Sequence, residues 1–196
     1  MRRRSTTFTR WARWLATFIG FPAAGVTARL VAGDIDSFGA AAVGGLAAGA
    51  VLGAVQAVVG GLAPGSRLRW TAATAAGLAV GLAAGASVVD FRTDTAALVV
   101  MGAVCGAALG IAQAIAVPLA GRHRIAWIVA TPAAWAAGWL NTSQVIVDAD
   151  RHHAIFGSSG ALVVSALTGL LVVHWRSTGA GSPAPVVRLS DRAGVS

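Results

Sequence analysis

Two glutamines and two threonines at matching positions are the residues of this chain best placed to do chemistry. Gln56 and Gln113 lie 57 residues apart, as do Thr74 and Thr131, and all four stand in apolar segments. An unpaired polar group in hydrocarbon costs several kcal/mol, so each carboxamide needs hydrogen-bond partners. We therefore expect these four side chains to form one polar layer. Two interpretations stay open: a structural layer that joins helices, or a layer that contacts a ligand.

A second polar segment pairs two aspartates with two histidines: Asp148, Asp150, His152 and His153. Carboxylates and imidazoles bind divalent metals. Their spacing here fixes no coordination geometry, however, and exposed loops are polar in any case. We predict an external polar loop at this position and no metal site.

Catalytic motifs are absent from the sequence. It has no HExxH, GxSxG or P-loop pattern, and no carboxylate or histidine lies midway along an apolar segment. The lone Cys105 excludes a disulfide framework. We therefore predict that the protein is not an enzyme and has no cofactor.

The composition explains where these polar residues must sit. Hydrophobic residues make up 56% of the chain and charged residues 11%, whereas a soluble domain has about 25% charged residues. The net charge of +8 comes from arginines at the ends of apolar segments, a pattern typical of membrane orientation. The expected partner is therefore the lipid bilayer and not nucleic acid. Self-association, or association with another membrane protein, stays open.

Apolar segments of about 20 residues cross a bilayer as helices. The sequence predicts an all-α membrane protein with six transmembrane helices between a basic N-terminal segment, residues 1–13, and a disordered tail, residues 176–196. The transmembrane domain covers residues 14–175, with helices at about 14–32, 38–63, 70–89, 96–119, 125–147 and 154–175.

Arginine placement predicts the orientation of these helices. Short loops that hold Arg67, Arg69, Arg122 and Arg124 alternate with loops rich in aspartate. The excess of arginine marks the cytoplasmic side, so both termini are expected in the cytoplasm of a bacterial cell, with the helices in its cell membrane. One alternative for the first helix is a cleaved signal peptide, because a basic start precedes a short apolar run.

The 57-residue shift also aligns glycines and tryptophans. The shared pattern is G-x3-G-x3-G-x2-Q, then thirteen intervening residues, then W-x3-T-x6-G. It predicts three tandem helical hairpins, with the first helix included through Trp14 and Gly25. Glycines four apart let two helices approach closely. We expect packing along these residues: Gly45, Gly49, Gly53, Gly77, Gly81, Gly85, Gly102, Gly106 and Gly110.

The pattern between Gly45 and Gly138 resembles uncharacterised bacterial multi-pass membrane proteins with tandem glycine-rich helical hairpins. In those proteins a bulky residue often follows the glutamine, where this chain has Ala57 and Ala114. The resemblance implies a helical membrane fold and no particular activity.

These patterns lead to two hypotheses for function. The first is small-solute handling, for example as the solute-capturing subunit of a transporter. The alternative is a structural or interaction protein that assembles through its glycine-zipper helix faces. Five tryptophans lie near the predicted cytoplasmic ends of helices, and we interpret them as anchors at the membrane interface: Trp11, Trp14, Trp70, Trp127 and Trp175.

Overall fold

The structure, a computed structural model, describes residues 2–119, 121–145 and 157–177. Every regular element in these ranges is helical, as the sequence predicts. The predicted external polar loop (Asp148, Asp150, His152 and His153) and nearly all of the predicted tail lie outside the described residues.

Seven α-helices and one 3₁₀ turn make up the described chain. In chain order they are α1 (Arg2–Leu15), the 3₁₀ turn (Ala16–Ile19), α2 (Gly20–Ala32), α3 (Phe38–Val59), α4 (Pro64–Val88), α5 (Thr95–Ala116), α6 (Gly121–Val145) and α7 (Ser158–Ser177).

Local sequence signals fix several helix starts. The Ser37 hydroxyl accepts a hydrogen bond from the Ala40 amide (3.3 Å) and so caps α3. The Asp94 carboxylate accepts one from the Ala97 amide (3.1 Å) and caps α5. Such oxygens satisfy amides that have no partner within the first turn. Helix α4 begins at Pro64 and not near Trp70, because proline is favoured at the first position of a helix.

The first predicted helix is longer than expected and is interrupted. Helical structure begins at Arg2, and a 3₁₀ turn at Ala16–Ile19 separates α1 from α2. Pro22 lies just beyond this turn and has no amide hydrogen to donate to the Phe18 carbonyl. Loss of that bond and the bulk of the ring disturb an α-helix on its N-terminal side, which accounts for the interruption.

The helices form a closed ring. Each helix packs against its neighbours in sequence, and α7 closes the ring by packing against α1 and the 3₁₀ turn. Contacts between α7 and α2 are sparse by comparison. The two ends of the described chain therefore meet on the cytoplasmic side of the predicted orientation.

Glycines make three of these helix pairs unusually close. A Cβ added at Gly45 would lie 2.4 Å from the Leu78 carbonyl oxygen, and one at Gly49 would lie 2.5 Å from Ala75 Cα. Only a residue without a side chain fits at such distances. The α3 glycines pack on α4, the α4 glycines on α5 and the α5 glycines on α6: Gly45, Gly49 and Gly53; Gly77, Gly81 and Gly85; Gly102, Gly106 and Gly110.

Five helical segments of the described chain are long and apolar enough to cross a membrane. They are Thr7–Ala32, Phe38–Val59, Pro64–Val88, Thr95–Ala116 and Ser158–Trp175. Helix α6 has 25 residues but is not among them. Its first turn carries Arg122 and Arg124 and its last turns carry Asn141 to Gln144, so its two ends are polar.

Candidate functional site

Three tryptophans meet inside the helical ring. Trp14, Trp70 and Trp127 are 2%, 2% and 4% exposed. Their rings contact one another pairwise in edge-to-face geometry, with centroids 5.8 to 6.2 Å apart. The interpretation of these residues as interface anchors is therefore wrong. An anchor places its indole N–H among head groups, whereas each of these donates to an acceptor within the chain.

Each indole donates to a side-chain oxygen on the neighbouring helix. Trp70 Nε1 donates to Gln56 Oε1 (3.1 Å), and Trp127 Nε1 donates to Gln113 Oε1 (3.2 Å). Both pairs span 14 residues across a cytoplasmic loop of the predicted orientation. Trp14 Nε1 donates to Thr168 Oγ1 (3.0 Å), which joins α1 to α7. We call these six residues the indole–amide layer.

Each tryptophan, its acceptor and the threonine beyond the tryptophan form one unit, and Gln113 links two of these units. Its Nε2 donates to Thr74 Oγ1 (3.0 Å) and to Gln56 Oε1 (3.4 Å). The structure therefore brings together three of the four side chains of the predicted polar layer. Thr131 instead donates to its own helix, at the Trp127 carbonyl (2.6 Å), and lies against the Gly110 position of α5.

A threonine beyond each tryptophan repeats the same local bond. Thr74 donates to the Trp70 carbonyl (2.8 Å) and Thr131 to that of Trp127, in both cases four residues back. Thr17 donates to the Trp14 carbonyl (2.7 Å), three residues back. A 3₁₀ turn has three residues per turn, so the turn at Ala16–Ile19 compensates for the missing residue.

Helix α1, the 3₁₀ turn and helix α7 thus form a third unit that resembles the other two. Thr168 stands where the other units have Gln56 and Gln113, and Thr17 stands where they have Thr74 and Thr131. Thr17 lies 57 residues before Thr74, so the shift that relates the two glutamines also identifies this threonine in the sequence.

A small pocket lies inside the ring, on the side of this layer that faces outward in the predicted orientation. Three of its lining residues, Phe21, Leu78 and Trp135, are spaced 57 apart and lie four residues beyond Thr17, Thr74 and Thr131. Four residues of helix advance about 6 Å. The pocket therefore begins one helical turn beyond the threonines, and we call it the axial pocket.

The axial pocket exists because the three units differ in side-chain size. At the next turn Leu82 and Trp139 line the pocket, and the residue 57 positions before Leu82 is Gly25. Glycine leaves space that leucine and tryptophan fill in the other units. Gly25 was predicted only as a member of the repeat.

The chemistry of the axial pocket is apolar. Its volume is about 60 Å³, and its remaining lining residues are Ala24, Ala28, Gly45, Ala48, Leu52 and Cys105. No lining residue carries a charge. A cavity needs roughly 10–15 Å³ per water molecule, so this one holds a solute of about four to six heavy atoms. The predicted glycine Gly45 both contacts α4 and lines this space.

Basic side chains cluster at the opposite end of the ring from the axial pocket. Arg13 Nε donates to the Val59 carbonyl (3.3 Å) and Arg67 Nε to the Leu62 carbonyl (3.1 Å), which satisfies carbonyls at and beyond the end of α3. At the other end of the ring Arg29 pairs with Asp34, and Arg92 with Asp94 (3.6 Å). In the described ranges no group of three or more metal-ligating side chains occurs.

Comparison with family models, with curated proteins and with solved structures finds no match.

Proposed function

We propose that this protein is a six-helix, multi-pass protein of the bacterial cytoplasmic membrane, built from three tandem hairpins, with both termini in the cytoplasm. Helix α6 is the sixth span, since its 25 residues reach across about 37 Å. It packs between α5 and α7, two helices with spanning length and hydropathy. Arginines are grouped at the end of the ring where α1, α4 and α6 begin, and this grouping supports the proposed orientation.

Within that fold, the protein handles a small solute, which it takes up in the axial pocket. The observation that carries this proposal is an uncharged space of about 60 Å³ inside the ring. Binding sites for small molecules are mostly apolar, with a few convergent polar groups, and helix bundles place them between facing helices. Capture without an energy source of its own suits a subunit that works with a transporter.

The indole–amide layer forms the cytoplasmic floor of this site. Its three indoles are almost fully buried, and their edge-to-face contacts leave little space between them. A solute that enters from the external half therefore meets a closed layer one helical turn below the pocket. This arrangement supports capture from outside and disfavours an open channel.

The alternative, an interaction protein that assembles through its glycine faces, has less support. All nine predicted packing glycines lie against neighbouring helices of the same chain. Those faces are occupied within one molecule, so assembly would need another surface.

Titration with two small probes tests solute capture. Acetone and isobutene have similar shapes and four heavy atoms each, in keeping with the pocket volume. In ¹⁵N spectra of the full-length protein in nanodiscs, we expect both probes to shift the indole signals of Trp135 and Trp139 saturably. Trp11, on α1 and outside the pocket lining, serves as an internal reference.

Filling the pocket provides the matched test. Gly25→Leu places at this position the residue that Leu82 provides in the next unit, and it should abolish the response to both probes. Gly39→Leu is the control, since a Cβ at Gly39 meets nothing within 4 Å. Probe responses that survive Gly25→Leu, or that never saturate, would contradict solute capture.

A further inference from the structure

The wall of the axial pocket is built almost entirely of carbon. Every lining residue of the described chain lies within an α-helix, where backbone amides and carbonyls bond to one another. Only Cys105, Trp135 and Trp139 carry a side-chain atom other than carbon or hydrogen. The remaining lining residues are phenylalanine, leucine, alanine and glycine, which offer a solute no side-chain hydrogen bond.

The three exceptions add little polarity to the pocket. The Trp139 indole nitrogen is itself buried, so it is not presented to a solute in the pocket. Trp135 packs against Phe21, with ring centroids 5.8 Å apart, and has a further partner within the chain. The Cys105 thiol is a weak donor and a weak acceptor. A polar solute would therefore give up its hydrogen bonds to water and gain few in return.

The same wall limits the size of the solute. Helix α2 contributes the small residues Ala24, Gly25 and Ala28, and the bulky Leu82 and Trp139 bound the space on the side of α4 and α6. An apolar cavity of about 150 Å³ in another protein stays dry and binds benzene or xenon. At about 60 Å³, the axial pocket suits a hydrocarbon that is smaller than benzene.

We propose that the solute of the axial pocket is a small molecule of hydrocarbon character, with about four or five carbon atoms and no group that must hydrogen-bond. Such a molecule loses no hydrogen bond on entry. An unpaired carbonyl or hydroxyl is disfavoured roughly tenfold or more, and an unpaired charge far more strongly. This inference rests on the proposed function, because it names the solute class of the same pocket.

Three probes of similar shape, with four heavy atoms each, separate the solute classes. Isobutene is apolar, acetone adds a carbonyl and trimethylammonium carries a charge. In ¹⁵N spectra of the full-length protein in nanodiscs, isobutene should saturate the shifts of Trp135 and Trp139 at an aqueous concentration at least about tenfold lower than acetone. Trimethylammonium should give no saturable shift, and Trp11 is again the internal reference.

A polar group placed in the wall should change this preference. Leu82→Asn replaces a lining leucine by a carboxamide of similar size, which can donate to the acetone oxygen. The affinity for acetone relative to isobutene should rise at least about fivefold, which corresponds to about 1 kcal/mol. Leu46→Asn makes the same change at a position of α3 that is 52% exposed, and it should leave the relative affinity unchanged.

The outcomes separate this inference from the proposed function. If acetone and isobutene both bind saturably but isobutene is preferred less than tenfold, the pocket captures solutes and the apolar class is refuted. Saturable binding of trimethylammonium, or an unchanged relative affinity in Leu82→Asn, would refute it as well. If no probe shifts Trp135 or Trp139, solute capture itself fails. The wild-type titrations decide the matter if Leu82→Asn does not fold.

Discussion

Removing Gln113 should destabilise the protein far more than removal of an exposed glutamine. Gln113→Leu deletes three hydrogen bonds, one from Trp127 and two from the amide nitrogen to Gln56 and Thr74. Hydrogen bonds between membrane helices average about 0.6 kcal/mol each, so the two bonds of the amide nitrogen give about 1 kcal/mol. The variant also leaves the buried Trp127 indole N–H without an acceptor, at a cost of about 1–3 kcal/mol. We expect a total loss of about 2–4 kcal/mol.

A double-mutant cycle isolates the indole contribution. Trp127→Phe removes the donor itself, so Gln113→Leu should cost less in that background, with a coupling of about 1–2 kcal/mol. The free energy of unfolding is measured in mixed micelles by circular dichroism. Gln144→Leu, at an exposed position, should change stability by no more than about 0.5 kcal/mol. Additive losses in the cycle would refute the claim that the Trp127–Gln113 bond stabilises the ring.

Three further predictions concern packing and topology. Gly49→Val should separate α3 from α4 and lower the free energy of unfolding by at least about 1–3 kcal/mol, because even a Cβ would lie 2.5 Å from Ala75 Cα. The control is Gly39→Val, where the added side chain meets open space. Equal thermal stability of the two variants would contradict this prediction. A reporter fused after Arg124 should be cytoplasmic and one at Asp94 external, and an external signal at Arg124 would rule out six spans. Intact mass should retain the first helix, and a mature chain without residues 1–28 would identify a signal peptide instead.

The sequence predicts the helical architecture because hydropathy and glycine spacing act locally. The capped starts at Ser37 and Asp94 fall where an apolar run follows a polar side chain. The repeat also predicts that Gln56, Gln113 and Thr74 share one depth, since a constant shift on helices of similar length preserves depth. These features need no knowledge of how distant helices face one another.

The indole donors and the pocket depend on tertiary contacts. Hydropathy places Trp70 and Trp127 near a membrane interface but does not indicate which way their rings point, and the structure turns them inward to the glutamines. The axial pocket depends on Gly25 lying level with Leu82 and Trp139. Gly25 and Thr17 keep the 57-residue shift in the sequence, whereas Trp14 is one residue out of step, and the 3₁₀ turn brings its ring to the level of the other two tryptophans.

The reactivity of Cys105 tests most directly whether small solutes reach the axial pocket. It is the only cysteine of the chain, it is buried and it lines the pocket. Methyl methanethiosulfonate is small and uncharged, and its addition to the thiol is followed by intact mass. We predict that the reagent modifies Cys105 of the wild type and that acetone slows this reaction. The rate of modification should be at least tenfold lower in Gly25→Leu and unchanged in Gly39→Leu. Equal rates in wild type and Gly25→Leu would contradict the proposal that this pocket admits a solute.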